Sequence, residues 1–359
     1  MQSYYDRLTT GDQCAAYEAV ANALARKSAY AYASCTETEC LTVYTAVVLD
    51  NPRYCLAHPW TICNYDGRSF ALEYTTVDEA LFFSRLEKTE SKIRKAYERM
   101  HDASTYALYK AIFDELASSL KYDYEVYEEY GRLCGRAGGQ TQDAHTAELM
   151  RFVRKNGLAF SPYGALVNGK AVCNGIAKLY KIICDDFGLP CACVQARSVG
   201  RARDDLPDAI PDDASCNHLL NVVEIDGQQA FVDLTNALCT EDLPLVRYDY
   251  FCVNYEVLKN ECLLRASDWA AFDCHGPNNL YFEKNGTVFS SIGALCKRAA
   301  NYIAKFHDYE VRLYYTGSDK SDEALYDIVA GILQAHCPAY RRPHVACSNG
   351  FINCVIMDE

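Results

Sequence analysis

Apolar residues along the first hundred positions recur with a helical period. Tyr17, Val20, Ala21 and Leu24 fall at i, i+3, i+4 and i+7, behind a Thr10/Gln13 capping box. Thr36 and Glu39 repeat that signal ahead of Val43, Tyr44, Val47 and Val48, and Asn51-Pro52 ends the run. Two short runs, Thr61–Tyr65 and Arg68–Tyr74, flank Asp66-Gly67, which predicts two strands joined by a two-residue turn. The charge-laced stretch from Val77 to Arg99 predicts a long helix. Leu108, Tyr109, Ile112, Phe113 and Leu116 predict another, ending near Lys121-Tyr-Asp-Tyr124. Residues 135–140, GRAGGQ, read as a loop, followed by a short helix around Ala147–Arg154. At the far end, Leu295, Ala299 and Ile303 predict a helix, Val311–Tyr315 a strand, and Leu325, Ile328, Val329 and Ile332 a further helix. Asn349-Gly350 then turns a closing hairpin into Phe351–Ile356. No internal repeat or low-complexity tract interrupts this order.

The middle of the chain changes character. Ile176, Leu179, Tyr180, Ile183 and Phe187 form one helix face, and Gly188-Leu-Pro190 stops it, which puts Cys173 in the first turn. Free N–H groups and the positive end of the helix dipole stabilise a thiolate at such a position. Downstream, Asp226-Gly227 is a two-residue turn, so Ile225 faces Gln228 and, counting outward, Leu220 faces Asp233. Strand alternation then makes His218 and Asp233 diagonal neighbours on one face. A carboxylate so placed can orient an imidazole. The competing reading is a surface hairpin with an unrelated Asp nearby, and a one-residue register slip would separate the pair.

Composition narrows the function. A chain of 359 residues has room for two or three domains, and 50% hydrophobic content with 28 Tyr and 14 Phe is globular. The net charge of −13, with a pI near 5.1, repels phosphate backbones and anionic lipid, so neither nucleic acid nor membrane is an expected partner. The 19 cysteines are odd in number and sit mostly inside helical or strand patterns, as small apolar fillers in a reducing interior. No segment reaches the ~18 uninterrupted apolar residues of a membrane span, and the N-terminus has no apolar run of signal-peptide length. The expected location is the cytoplasm, or outside the cell had a leader been removed.

Other candidate sites weaken on inspection. Gly164 to Lys170 approximates a phosphate loop, but Ala171 stands where Ser or Thr must hold magnesium, and the preceding Lys155–Tyr163 is loop-like with a Pro. Cys337, His344, Cys347 and Cys354 invite zinc, yet their spacing of six, two and six residues lacks a second close pair, and alternation places Cys347 and Cys354 on one hairpin layer. Cys191 and Cys193 fit alternate positions of one strand. Asp204, Asp205, Asp208, Asp212 and Asp213 lack the Gly and terminal Glu of a calcium loop, and the segment from Arg201 to Asp213 reads as a mobile cover leading to His218. No cofactor and no metal is expected.

Cysteine at a helix start, then His and Asp on one hairpin, is the order of a Cys–His–Asp thiol site. Gly169-Lys-Ala-Val-Cys173-Asn-Gly, Phe187-Gly-Leu-Pro-Cys191, His218 through Gly227, and Phe231-Val-Asp233-Leu-Thr resemble the core of the transglutaminase-like superfamily. Leu120–Tyr124 and Tyr248–Phe251 resemble segments flanking that core in bacterial members, so the resemblance covers residues 101 to 255. It implies an α+β fold with a papain-like transglutaminase core at 101–240, which the patterns above flank with a mostly helical N-terminal region with a hairpin at 1–100 and a small C-terminal α/β region at 241–359. It also implies Cys173 as nucleophile, His218 as general base and acid, and Asp233 as orienter. The expected activity is acyl transfer from amide groups of a peptide or protein substrate, with hydrolysis preferred over transfer to an amine. The alternative is a non-catalytic peptide-binding scaffold that keeps the core. Asn174 stands where Gln is commoner, Leu219-Leu220 replace a small residue and Trp, and Asn236 replaces a Trp that commonly walls the cleft. Substrate identity and oligomeric state stay open at this level.

Overall fold

The computed structural model describes residues 1–56, 64–65, 69–135, 142–199, 206–241, 243–306, 310–337 and 341–358. The Asp66-Gly67 turn, residues 136–140 of the GRAGGQ loop, and Asp204 and Asp205 lie outside them. Asp226 and Gly227 both adopt positive φ, 53° and 78°, and close the hairpin between strands His218–Ile225 and Gln228–Val232. Ile225 pairs with Gln228 and Asn221 with Val232, the register read from the turn. This hairpin is the middle of a five-stranded antiparallel sheet, ordered Cys262–Leu264, Cys191–Ser198, His218–Ile225, Gln228–Val232, Phe251–Val253. The helix Cys173–Asp186 lies against it, burying Ile176, Leu179, Tyr180 and Ile183 completely. The molecule is α+β.

The predicted helices form where capping and periodicity placed them, at Gly11–Ala25, Glu37–Asp50, Glu79–Arg99 and Thr105–Ser119. Thr36 and Glu39 make the full reciprocal box. At Thr10 only half forms, because Gln13 Oε1 accepts from Thr9 N, at 2.9 Å, while Thr10 Oγ1 accepts from Gln13 N. Two corrections concern the N-terminal half. Tyr65 pairs with Phe70, two residues beyond the partner that a two-residue turn would set. A helix at Tyr124–Gly135, absent from the sequence reading, follows Asp123, whose carboxylate accepts from Val126 N at 3.3 Å as an N-cap would. The expected short helix at Ala147–Arg154 runs from Gln142 to Asn156.

Buried apolar residues gather in separate clusters. The largest lies between the sheet, the Cys173–Asp186 helix and the Thr105–Ser119 helix, and draws also on Phe82, Phe282 and Phe351. A second joins Val20, Leu24, Val43, Val47 and Phe70. A third sits under a four-stranded sheet in which Glu310–Tyr315 pairs with Phe351–Asp358, itself hairpinned to Arg341–Ser348. The N-terminal segment is strapped to the body: Tyr4 and Tyr5 donate their N–H groups to Asp50, and Arg7 reaches the buried Asp268 at 2.5 Å.

Candidate functional site

Cys173 begins its helix after Val172, an N-cap residue with no side-chain oxygen to satisfy the first-turn amides. Gly175 lets that first turn press against the buried Ser161, since a Cβ there would lie 2.6 Å from the Ser161 carbonyl oxygen. The thiol is 7% exposed, packed among Leu49, Ala177, Cys193 and Leu219 with Tyr4 against them. Its sulfur lies 4.0 Å from the Asn217 carbonyl, the residue just before His218.

His218 opens its strand opposite Ala196. Its Nε2 lies 2.7 Å from Asp233 Oδ2, and since a carboxylate only accepts, Nε2 carries the proton of that bond. Nδ1 is then the other ring nitrogen, and the Cys173 thiol, bonded to the carbonyl of the preceding residue, lies near the imidazole. Burial by itself would push the His218 pKa down. The Asp233 charge and hydrogen bond outweigh it, Cys173 adds to them, and the imidazole is held well above its ordinary value.

Asp233 is 1% exposed and is pinned locally as well as by His218. It N-caps the short helix Leu234–Ala237, with Oδ1 accepting from Asn236 N at 3.3 Å and Oδ2 from Asn236 Nδ2 at 2.9 Å. By sequence, Asn236 is notable only for standing in place of a Trp. Here it shares the carboxylate oxygen that His218 uses. The structure therefore brings all three predicted residues, Cys173, His218 and Asp233, together.

A cleft of about 180 Å³ opens beside His218, lined by Tyr122, Tyr124, Tyr127, Ser198, Asn217, Thr235 and Asn236. Three of its lining residues are thus tyrosines from one segment. Tyr122 meets Tyr124 and Tyr127 edge to face, at 4.9 and 5.7 Å. Its hydroxyl is pushed well above a tyrosine's ordinary value, first by burial and then by its proximity to Cys173. Lys121-Tyr122 pairs in parallel with Lys170-Ala171, just ahead of Cys173, and Lys170 Nζ sits 3.0 Å from Asp123. The lysine of the phosphate-loop look-alike is ion-paired beside the tyrosine wall, and Gly164–Asn168 is wound as one π-helical turn.

The remaining candidates disperse. Cys347 and Cys354 lie on the side of the hairpin that faces the third cluster, while alternation sends His344, opposite Val355, to the other face. Among the described residues no group of three or more His, Cys, Asp or Glu is placed to hold a metal. Cys191 and Cys193 share one strand face, both 3.6 Å from Asn221 Nδ2. Contrary to the mobile cover expected, the described part of the acidic segment is docked: Ile210 is buried and bonded to Leu264 and Ala266, and Asp212 accepts from Ser267 N at 2.9 Å. The reason is an apolar anchor, Ile210, that the run of Asp and Pro obscures. Cys173 is a free thiol, and no described helix is long and apolar enough to cross a membrane.

No family profile and no curated protein matches the chain. Solved structures match it at low identity. A TGase is 15% identical with a TM-score of 0.29, over 56% of this chain and 48% of that one. A chain described as a "Putative Cysteine Protease from Cytophaga hutchinsonii" is 13% identical with a TM-score of 0.25, over 45% and 44%. The chain thus spans about half the length of either structure.

Proposed function

We propose that this protein is a transglutaminase-like thiol enzyme with a papain-like core, acting on amide groups of a peptide or protein through an acyl-enzyme on Cys173. The observation that carries the reading is the ring of His218, bonded by Nε2 to Asp233 at 2.7 Å and neighboured by a thiol at a helix N-terminus. In this reading His218 Nδ1 takes the thiol proton and the sulfur attacks the carbonyl carbon. First-turn N–H groups stabilise the oxyanion, and His218 returns the proton to the leaving amine as the C–N bond breaks. Water, activated by the same imidazole, then hydrolyses the thioester; an amine in its place gives transfer. Hydrolysis is the preferred outcome. Asp233 holds the tautomer, and Asn236 holds Asp233.

A non-catalytic scaffold is the second reading, and the 7% exposure of Cys173 favours it. The two separate in one experiment. An alkylating reagent at limiting concentration, read by peptide mapping, labels Cys173 ahead of the other thiols if the site is an activated nucleophile. An activated acyl ester then leaves an acyl adduct on Cys173 that Cys173→Ala lacks. Labelling spread evenly over several cysteines, with no adduct, supports the scaffold.

A further inference from the structure

A second cavity, of about 600 Å³, shares no residue with the cleft beside His218 and is lined by Tyr281, Asn285, Thr287, Arg298, Tyr302, Glu310 and Arg312. Its walls come from the turn after helix Leu280–Lys284, from helix Ile292–Phe306 and from strand Glu310–Tyr315. The lining carries two guanidiniums against one carboxylate, in a chain whose net charge is −13.

The two arginines are held differently. Arg312 is engaged: its Nη1 donates to Glu310 at 2.8 Å, its Nε to the Val246 carbonyl at 3.2 Å, and its guanidinium lies 5.0 Å over the Tyr248 ring. Arg298 has no carboxylate partner among the described residues. It lies 4.7 Å over the Tyr302 ring and donates from Nη2 to the Tyr302 hydroxyl at a long 3.4 Å, and its buried Nε–H has no acceptor among the described residues. A buried, unsatisfied donor on a cation costs more than a neutral one, and an oxyanion relieves it with two parallel bonds. The floor beneath adds no net charge. Tyr281 stacks on Tyr248 at 3.8 Å, and the Tyr248 hydroxyl sits between Lys110 and Asp114, which pair at 2.6 Å.

We propose that this cavity is a binding site for an oxyanion, the carboxylate or phosphate group of a small ligand, with Arg298 as its principal contact. Arg298 supplies the fork, Arg312 a fixed positive field, and Asn285 and Thr287 polar neighbours for the rest of the ligand.

Calorimetric titration of the full chain tests it, using inorganic phosphate and succinate separately, with sodium chloride at matched ionic strength as the reference. Saturable binding of at least one anion is expected, weakened about tenfold or more by Arg298→Gln, while Cys173 alkylation keeps the parent rate. Tighter binding of phosphate assigns a phosphoryl ligand, and tighter binding of succinate a carboxylate. If neither anion binds saturably, or if Arg298→Gln binds as the parent does, the site is not an oxyanion site. Should Arg298→Gln not fold, Arg298→Lys decides instead: it keeps the charge and loses the fork, so unchanged affinity overturns the proposal.

Discussion

Asp233 does two jobs with one carboxylate. Its cap bonds to Asn236 fix the side chain locally, and the same group holds His218 Nε2 at 2.7 Å. Asp233→Asn keeps the shape and removes the charge, so the His218 titration midpoint, followed by NMR, should fall from its raised position. The raised folded pKa means that the protonated imidazole stabilises the fold below about pH 6.5, and that this contribution is lost as pH rises through the folded pKa. The stability gap between parent and Asp233→Asn should therefore be widest on the acid side and narrow as His218 loses its proton. Alkylation of Cys173 at neutral pH should drop severalfold or more, because the Asn permits the wrong tautomer. A variant that titrates and reacts like the parent would remove Asp233 from the site.

At the scale of elements, the site is the meeting of a helix start, a strand start and a hairpin end. Gly175 sets how closely the first of these approaches its support, and Gly175→Ala would drive a Cβ to 2.6 Å from a carbonyl that belongs to backbone and cannot swing aside. The helix must shift, at a cost of about 1–3 kcal/mol by analogy with overpacked cores. Denaturant melting should show that loss, and Cys173 alkylation should slow with it, since the sulfur moves relative to His218. Val172→Ser offers a control in the same turn that leaves this contact alone. The hairpin needed no such help: Asp226-Gly227 fixed its register from the chain alone, and Asn221 opposite Val232 is the pairing that turn dictates. The tyrosine wall was not legible in that way. Tyr122, Tyr124 and Tyr127 alternate with charges in a stretch without clear period, and only the pairing of Lys121-Tyr122 with Lys170-Ala171 carries them toward Cys173.

Across the whole molecule, the N-terminal strap ties the helical N-terminal part to the body beside Cys173. Arg7 meets Asp268 with side chains 14% and 3% exposed, and Tyr4, whose hydroxyl donates to the same carboxylate, packs on the cluster that contains Cys173. Breaking a buried pair by removing one partner leaves a charge uncompensated, so Arg7→Ala should cost about 3–5 kcal/mol in chemical denaturation at pH 7. Burial already raises the Asp268 carboxyl above its usual range, against the lowering pull of Arg7 and Tyr4. With Arg7 gone it rises further and takes up a proton sooner as pH falls. Part of the lost stability should accordingly return at acid pH, and a deficit that stays constant between pH 7 and pH 5 would mean that Asp268 is not the group left stranded.

The chain by itself determined what depends on neighbours in sequence. The cap at Thr36, the helix face from Ile176 to Phe187, and the turns at Asp226-Gly227 and Asn349-Gly350 follow from local backbone preference and period. The order Cys173, His218, Asp233 was legible for the same reason, since one turn fixes two of the three. Tertiary structure alone decided the rest: the docking of Ile210, the sharing of Asp233 by Asn236, the tyrosines beside His218, and the two arginines across the second cavity. Each joins groups far apart in sequence or hidden in unpatterned segments, where only the packing of one element on another sets the distance.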